Sequence, residues 1–387
     1  MAGMNVKLHG SIAAIGPGTW DRLACPPGAP MNPFVTHAFL LALEQSGSAT
    51  AATGWDPAHL TLERDGTVIG AVPAYVKAHS YGEYVFDHGW AQAFERAGGA
   101  YYPKLQVSVP FTPATGPRLL TGNDPAHRPA LAEALKQICQ RLELSSVHVT
   151  FEPEEEARAL AEAGFLLRND QQFHWTNEGY GTFEDFLACL SSMRRKNLRR
   201  ERRQALEAGI EIERLTGSDL REAHWDAFFS FYMDTGNRKW GTPYLTRDFF
   251  SRVGDTMADR ILLVMARRNG RYIAGALNFI GSDTLYGRNW GAIEHHPFLH
   301  FELCYYQAID FAIARKLRTV EAGAQGEHKL ARGYMPVRTW SSHWITHRGL
   351  SDAVERYLVA ERARVSEDIE VLREHSPFRK TSQQGEY

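Results

Sequence analysis

Four side chains of different chemical types lie within six residues late in the sequence: Glu327, His328, Lys329 and Arg332, in the loop 323–333. A carboxylate can act as a general base or orient a reacting group. An imidazole accepts a proton near neutral pH, and lysine and arginine bind carboxylates, phosphates or oxyanions. We predict that these four residues are catalytic. The alternative is a solvated loop with local ion pairs.

One carboxylate stands in an otherwise apolar segment upstream of this loop. Glu302 lies among the aromatic and aliphatic residues of 298–305, where burial without a partner would be costly. We predict that it faces the site and pairs with Arg288, Lys329 or Arg332. The alternative is a position on an exposed face.

Polar side chains beside large aromatics are typical of pocket walls. The candidate substrate-binding residues of this kind are Tyr102, Lys104, Arg118, Asn237, Arg238, Trp240, Tyr244, Asn289 and Trp290. The first three would form an acceptor-binding cleft in the first half of the chain. The alternative is that these residues only build the core and the loops.

A strongly basic segment lies in the middle of the chain. Seven of the ten residues 194–203 are basic, and Glu201 is the only acid among them. Serine before this run and Gly209 after it predict a helix over 191–208. Such a helix binds phosphates of RNA or of a diphosphate-linked acceptor, unless it is simply solvated. The candidate phosphate-binding residues are Arg194, Arg195, Lys196, Arg199, Arg200 and Arg203.

The elements that position these residues occur twice in the same order. Predicted hairpins turn at Gly66 and Gly270, 204 residues apart, and Trp20 and Trp225 open helices 205 residues apart. We interpret this as a tandem duplication of an α/β unit. Paired strands flanked by helices indicate a mixed, mostly antiparallel sheet. We predict a first domain over 1–170, completed by a C-terminal helix 348–387, and a second over 171–347 that is led by the basic helix.

Composition narrows the class of protein. A formal net charge of -2 implies no general attraction to nucleic acid or membrane. Four widely spaced cysteines favour a reduced, cytoplasmic protein without a metal site. We expect neither a signal peptide nor a membrane span.

Several segments resemble the FemAB-like predicted N-acyltransferases, a peptidoglycan-biosynthesis-like branch. They are residues 101–105, 109–113, 116–120, the basic segment, 240–246, 300–307 and 323–329. The resemblance implies two tandem GNAT-like domains and transfer of an activated aminoacyl or acyl group to an amine, which needs a base for the amine proton and a donor for the developing oxyanion. The sequence has no Gly-x-Ser-x-Gly or Cys/His nucleophile arrangement, so we favour direct attack by the acceptor amine.

The acyl donor is the least defined part of this expectation. GNAT enzymes hold coenzyme A with a glycine-rich loop before a helix, whereas residues 294–302 contain no glycine and carry Pro297. FemAB-type enzymes, which this sequence resembles, lack the same loop and use aminoacyl-tRNA. The resemblance therefore implies no tightly bound cofactor and favours aminoacyl-tRNA over acyl-CoA as co-substrate, with tRNA contacting the basic helix. Two alternatives stay open: an acyl-CoA-dependent N-acetyltransferase with an atypical site, and a non-catalytic module that binds a cell-wall precursor or RNA.

Overall fold

The computed structural model describes residues 3–239, 243–323 and 326–379, with only the backbone given for 237–239 and for Glu327. The strands in chain order are β1 Met4–His9, β2 Trp55–Pro57, β3 His59–Arg64, β4 Thr67–Val72, β5 Ala74–Lys77, β6 Lys104–Val107, β7 Ser146–Glu152, β8 Leu166–Thr176, β9 Ile210–Leu215, β10 Ile261–Arg268, β11 Arg271–Ile280, β12 Thr284–Ala292, β13 Thr319–Glu321 and β14 Met335–Ile345. The helices are α1 Pro17–Ala24, α2 His37–Gln45, α3 His88–Arg96, α4 Arg128–Arg141, α5 Glu154–Glu162, α6 Phe183–Cys189, α7 Ser192–Leu206, α8 Glu222–Lys239, α9 Arg247–Met257, α10 Leu299–Phe301, α11 Gln307–Ala314 and α12 Arg348–Glu374, with a π-helical segment Glu302–Tyr306 between α10 and α11. Among these helices, none is long and apolar enough to cross a membrane.

One large sheet runs through both halves of the chain. Its strand order is β2-β5-β6-β7-β14-β8-β13-β12-β11-β10-β9, and β1, β3 and β4 form a smaller sheet. Within the described ranges, the parallel neighbours are β6 with β7 and β12 with β13, and the other pairs are antiparallel. Helices cover the sheet and bury its apolar side chains. The predicted mixed, mostly antiparallel α/β architecture is confirmed.

The two units repeat local structure that their sequences encode. The hairpin turns have positive φ angles at Asp65-Gly66 and at Asn269-Gly270, which is the backbone that a two-residue type I′ turn requires. The Thr36 hydroxyl caps α2, and the Thr246 hydroxyl caps α9. The two capped helices pack against each other, with Phe39 and Phe249 in edge-to-face contact at 5.7 Å.

The C-terminal elements return to the centre of the sheet. Strand β14 lies between β7 and β8, and β8 itself crosses the predicted boundary at residue 170. Helix α12 packs its apolar face, including Leu358, against Trp90 and Tyr101 of the first half. The domain boundaries stay a prediction, because the sheet hydrogen bonding is continuous across them.

Candidate active site

Strands β12 and β13 diverge after a short parallel pairing. Residues 284–286 of β12 pair with residues 319–321 of β13. Strand β13 then ends at Glu321, whereas β12 continues to Ala292, and no described strand pairs with residues 287–292 on that edge. The backbone of β12 therefore forms one wall of an opening in the sheet.

A β-bulge lies at the start of this opening. The register between β11 and β12 shifts between Leu277 and Asn278, which leaves Arg288 as the extra residue. Bulges redirect side chains and are common beside active sites. The Arg288 guanidinium donates to the Phe111 carbonyl oxygen at 2.5 Å. Because Phe111 belongs to the first unit, the bulge ties the two units together at the opening.

Glu321 and His174 lie side by side at the end of β13. The His174 Nε2 atom is 4.0 Å from the Glu321 carboxyl oxygen. Burial raises the pKa of Glu321 to about 8. Burial, together with the nearby Lys329 ammonium, lowers the pKa of His174 to about 4. At neutral pH the opening therefore holds a carboxyl group that is mostly protonated and an uncharged imidazole. Neither residue was identified from the sequence.

Lys329 is buried in a 3-10 helix, Glu327–Arg332, that follows the opening. Its ammonium donates to the Gly323 carbonyl oxygen at 2.9 Å, which links the 3-10 helix to the residues just after β13. Burial lowers the pKa of Lys329 to about 8. A lysine of this kind is mostly charged at pH 7 but is deprotonated more easily than a solvated one. Its catalytic role stays a prediction with this added support.

His328 and Arg332 lie in the same 3-10 helix as Lys329 and contact other parts of the chain. The His328 imidazole is hydrogen-bonded to the Tyr305 hydroxyl at 3.0 Å. Burial and the charges of Arg332 and Lys329 lower the pKa of His328. The buried Arg332 donates to Glu201 at 2.8 Å and lies 3.5 Å above the ring of Phe301. Arg332 therefore anchors the loop to α7 rather than facing solvent.

Glu327 and three of the substrate-binding predictions fall where the structure gives no side chain. The backbone of Glu327 lies in the 3-10 helix, and that of Asn237 and Arg238 lies in α8. Trp240 lies outside the described residues.

Glu302 is buried and not on an exposed face. Its predicted pairing with Arg288, Lys329 or Arg332 is wrong. Arg202 of α7 donates to both carboxylate oxygens of Glu302, at 2.9 and 3.1 Å, and Gln307 donates at 2.7 Å. Glu302 starts the π-helical segment Glu302–Tyr306. The pair with Arg202 therefore docks the basic helix against the helix that borders the opening.

The basic segment forms the predicted helix, and its faces differ. Leu198 and Glu201 are buried, and Arg202 pairs with Glu302 and Asp310. Lys196, Arg199, Arg200 and Arg203 are exposed, and Arg194 and Arg195 are half-buried. Two of the exposed arginines have acidic neighbours, Arg199 with Glu184 and Arg203 with Glu207. The outer face of α7 is thus a cationic surface, and phosphate binding there stays a prediction.

Aromatic side chains stand at the mouth of the opening. Tyr244 is 39% exposed and stacks on Phe111, with ring centroids 4.7 Å apart. Asn289 borders a cavity of about 10 Å³ next to Arg288, enough for one water molecule. Trp290 is half-buried against His300. Their contact with substrate stays a prediction.

The predicted acceptor cleft around Tyr102 and Lys104 is not a cleft. Lys104 is fully buried, and its ammonium donates to Asp87 at 2.5 Å, to Glu83 at 2.8 Å and to Ser80 at 2.8 Å. The Tyr102 hydroxyl is bonded to Ser80 as well. Lys104 thus holds the loop 78–87 on the sheet and is not available to an acceptor, contrary to the prediction.

Arg118 also has a structural role, contrary to the prediction that it lines an acceptor-binding cleft. Its guanidinium is buried and donates to the carbonyl oxygens of Ala114, Gly116, Pro117 and Thr150. Together with the bond from Gly116 N–H to the Phe151 oxygen, these contacts lay the segment 108–118 along β7. The opening that would follow β6 and β7 in the first unit is therefore filled by the chain itself.

A larger cleft lies elsewhere in the first unit. It has a volume of about 400 Å³, and its walls include Arg22, the turn at Gly122 and His127. Asp124 occupies the helix N-terminus by accepting from Ala126 N–H, and it pairs with His127 at 3.3 Å. A bound anion would meet this carboxylate, so we do not assign the cleft to the reaction.

Comparison with known proteins agrees with this architecture. A family described as peptidoglycan biosynthesis/recognition matches residues 11–380. No curated protein matches the sequence. Among solved structures, FemX superposes with a TM-score of 0.56 at 12% identity, over 88% of this chain and 98% of that one.

Two further solved structures match most of the chain at low sequence identity. The L-PGS structure from Bacillus licheniformis superposes with a TM-score of 0.51 at 10% identity, over 82% of this chain and 95% of that one. A tandem GNAT protein from the clavulanic acid biosynthesis pathway gives 0.48 at 11% identity, over 89% of this chain and 99% of that one. The opening between β12 and β13 thus lies in a fold that FemX shares.

Proposed function

Because the chain belongs to the FemAB-like family, we propose that it transfers an activated aminoacyl or acyl group to an amine by direct attack of that amine. The family resemblance inferred from the sequence is correct, and membership makes the chain an acyltransferase-type enzyme. The observation that supports this proposal best is the opening at the β12 bulge, which has the buried ammonium group of Lys329 at its end. We assign the carbonyl of the donor to this opening.

Lys329 is the residue to which we assign the developing oxyanion. The tetrahedral intermediate of acyl transfer carries negative charge on the former carbonyl oxygen. The Lys329 ammonium has three N–H donors, and Gly323 takes one of them. The remaining donors can meet the oxyanion in a site where burial strengthens the interaction. Removal of one such donor lowers turnover about 100- to 1000-fold in other acyl transfers.

The contacts around α10 favour aminoacyl-tRNA as donor over acyl-CoA. Glu294 lies just before this helix and accepts from Arg268 at 3.2 Å and from His296 at 2.8 Å. A carboxylate at this position repels the pyrophosphate that a helix N-terminus would otherwise bind. The exposed Lys196, Arg200 and Arg203 lie along one face of α7, about 6 and 4.5 Å apart along the axis. This cationic face suits the phosphates of an RNA acceptor arm, and we place the reaction in the cytoplasm.

A generic amine tests the reaction without knowledge of the natural acceptor. Purified protein receives hydroxylamine and either tRNA charged with radiolabelled amino acids or radiolabelled acetyl-CoA, and hydroxamate is measured above the protein-free rate. We expect product with charged tRNA, and turnover at least about 100-fold lower for Lys329→Met. Lys316→Met, at an exposed turn of the same unit, should keep full turnover.

Two results would contradict the proposal. Wild-type protein that forms no hydroxamate from either donor would refute acyl transfer. Full turnover in folded Lys329→Met would refute the assigned role of Lys329. Product from acetyl-CoA alone would leave acyl transfer standing and exclude tRNA as the donor.

A further inference from the structure

Glu321 has a carboxylate oxygen without a partner in the interior. The residue is 8% exposed, and its Oε2 atom is buried with no hydrogen bond in the described part of the chain. A buried polar atom of this kind is costly, and it marks a place for a ligand group. Glu321 is the last residue of β13, at the point where β12 leaves it. The free oxygen therefore belongs to the opening in the sheet.

The groups that face Glu321 are mixed in charge and come from every element around it. A backbone hydrogen bond from Thr115 and the positive charges of Arg288 and Arg118 stabilise the carboxylate form, whereas Asp283 opposes it. These charged or titratable neighbours are Arg118, His174, Asp283, Tyr286 and Arg288.

Both guanidiniums near Glu321 already have other partners. Arg118 donates to backbone carbonyls, and Arg288 donates to the Phe111 carbonyl oxygen. Neither has a hydrogen bond or ion pair to Glu321 among the described contacts. Among the described contacts, the Oε2 atom of Glu321 therefore has no cation bonded to it.

We propose that Glu321 binds the ammonium group of the acceptor and takes the proton that this amine must lose before it attacks. The inference rests on the proposed function and names the substrate class, a primary ammonium rather than a neutral nucleophile. It also assigns the base to Glu321, whereas the sequence had pointed to Glu327 or His328. Lys329 lies near His174, and His174 lies 4.0 Å from Glu321, so the proposed base and the proposed oxyanion donor lie near the same imidazole.

The proposed steps balance in protons and electrons. In its ionised form Glu321 binds the ammonium and accepts one proton from it, and the free amine attacks the ester carbonyl carbon. A C–N bond forms, and the carbonyl electron pair moves to the oxygen beside Lys329. Collapse breaks the C–O bond of the ester, and the second nitrogen proton passes through His174 to the departing hydroxyl oxygen. Amide and alcohol leave, and Glu321 releases its proton to solvent.

Two amines of different basicity separate a catalytic from a structural role. At pH 7 ethylamine is an ammonium ion, whereas hydroxylamine is largely uncharged. With the donor that the wild-type protein uses, Glu321→Gln should lower ethylamide formation at least about 100-fold and retain hydroxamate formation. Glu152→Gln is the matched control, because burial raises the pKa of Glu152 to about 8 as well, in the first unit. That variant should retain both products.

The outcomes are distinct. An equal loss of both products in Glu321→Gln would assign Glu321 a structural role, and no loss of either would remove it from the reaction; each result overturns the inference. Should Glu321→Gln fail to fold, Glu321→Ala with added formate repeats the test, since only a proton acceptor is restored by a small carboxylate. Wild-type protein that forms neither product with either donor refutes the proposed function, and the inference falls with it.

Discussion

Replacement of Lys104 by methionine should destabilise the protein far more than loss of a surface lysine. Burial alone would lower the pKa of Lys104, but Glu83 and Asp87 raise it above its ordinary value. Burial alone would raise the pKa of Asp87, but Lys104 holds it below the ordinary range. Lys104 and Asp87 are therefore both charged at neutral pH. Burial keeps the pKa of Glu83 raised despite Lys104, so the pair with Asp87 is the stronger one.

The size of the effect follows from the charges that the substitution leaves behind. Methionine fills the space of the lysine stem but leaves Asp87 buried without its cation, and such changes cost about 3–5 kcal/mol. For 387 residues, an unfolding entropy of about 2.1 cal/mol/K per residue gives about 0.8 kcal/mol/K. The melting temperature should therefore fall by about 4–6 °C.

Thermal unfolding followed by circular dichroism measures this shift. Lys7→Met is the control, because Lys7 is half exposed and pairs with Glu63 at the surface; it should cost at most about 1 kcal/mol. The double variant Lys104→Met/Asp87→Asn removes both charges and should recover part of the loss. A Lys104→Met shift no larger than that of Lys7→Met would refute the reasoning, as would a double variant less stable than the single one.

Two further predictions concern pH and salt. The pKa of Glu152 is raised to about 8 in the folded protein, so between the pKa of this residue in the unfolded chain and about pH 8 the folded protein holds a proton that the unfolded chain has lost. The free energy of unfolding should therefore fall across this range by up to about 1.4 kcal/mol per pH unit. Glu152→Gln should make this fall shallower, as measured by chemical denaturation at pH 5 to 8. Exchange of Lys196, Arg200 and Arg203 for glutamine should lower the slope of log affinity for charged tRNA against log salt by about 2 to 3 in filter binding, with Lys136→Gln as a control; an unchanged slope would exclude this face of α7 from RNA binding.

The sequence predicted the parts of the fold that depend on neighbouring residues. Threonine caps and Asn-Gly or Asp-Gly turns act within a few residues. The two hairpins occur as predicted, and Thr36 and Thr246 cap helices in both units. The strand-to-loop order around Lys329 follows from the same local signals. These signals place a residue along the chain but do not tell which atoms face it.

The misplaced predictions for Glu302 and Lys104 depend on distant partners. The partner of Glu302 is Arg202, 100 residues away in sequence. It belongs to α7, whose many charged residues are typical of a solvent-exposed helix. Lys104 lies opposite Lys77 in the sheet, and its carboxylates come from a loop that gives no periodic signal. Glu321 looks like an ordinary end of an apolar strand, and only the bulge at Arg288 gives it an opening to face. A carboxylate at the end of a predicted core strand was the one available signal.

The segment 108–118 contacts both units and accounts for placing the proposed site in the second unit. In the first unit it occupies the position beyond β6 and closes the opening there, through Gly116 and Arg118. The same segment reaches the second unit, where the Phe111 carbonyl accepts from Arg288 and the Thr115 backbone bonds to Glu321. The residues that fill the opening of the first unit thus form part of the wall of the opening in the second unit. Insertion of this segment would close the pocket of the first unit and complete the pocket of the second. We therefore expect the two halves to function only together.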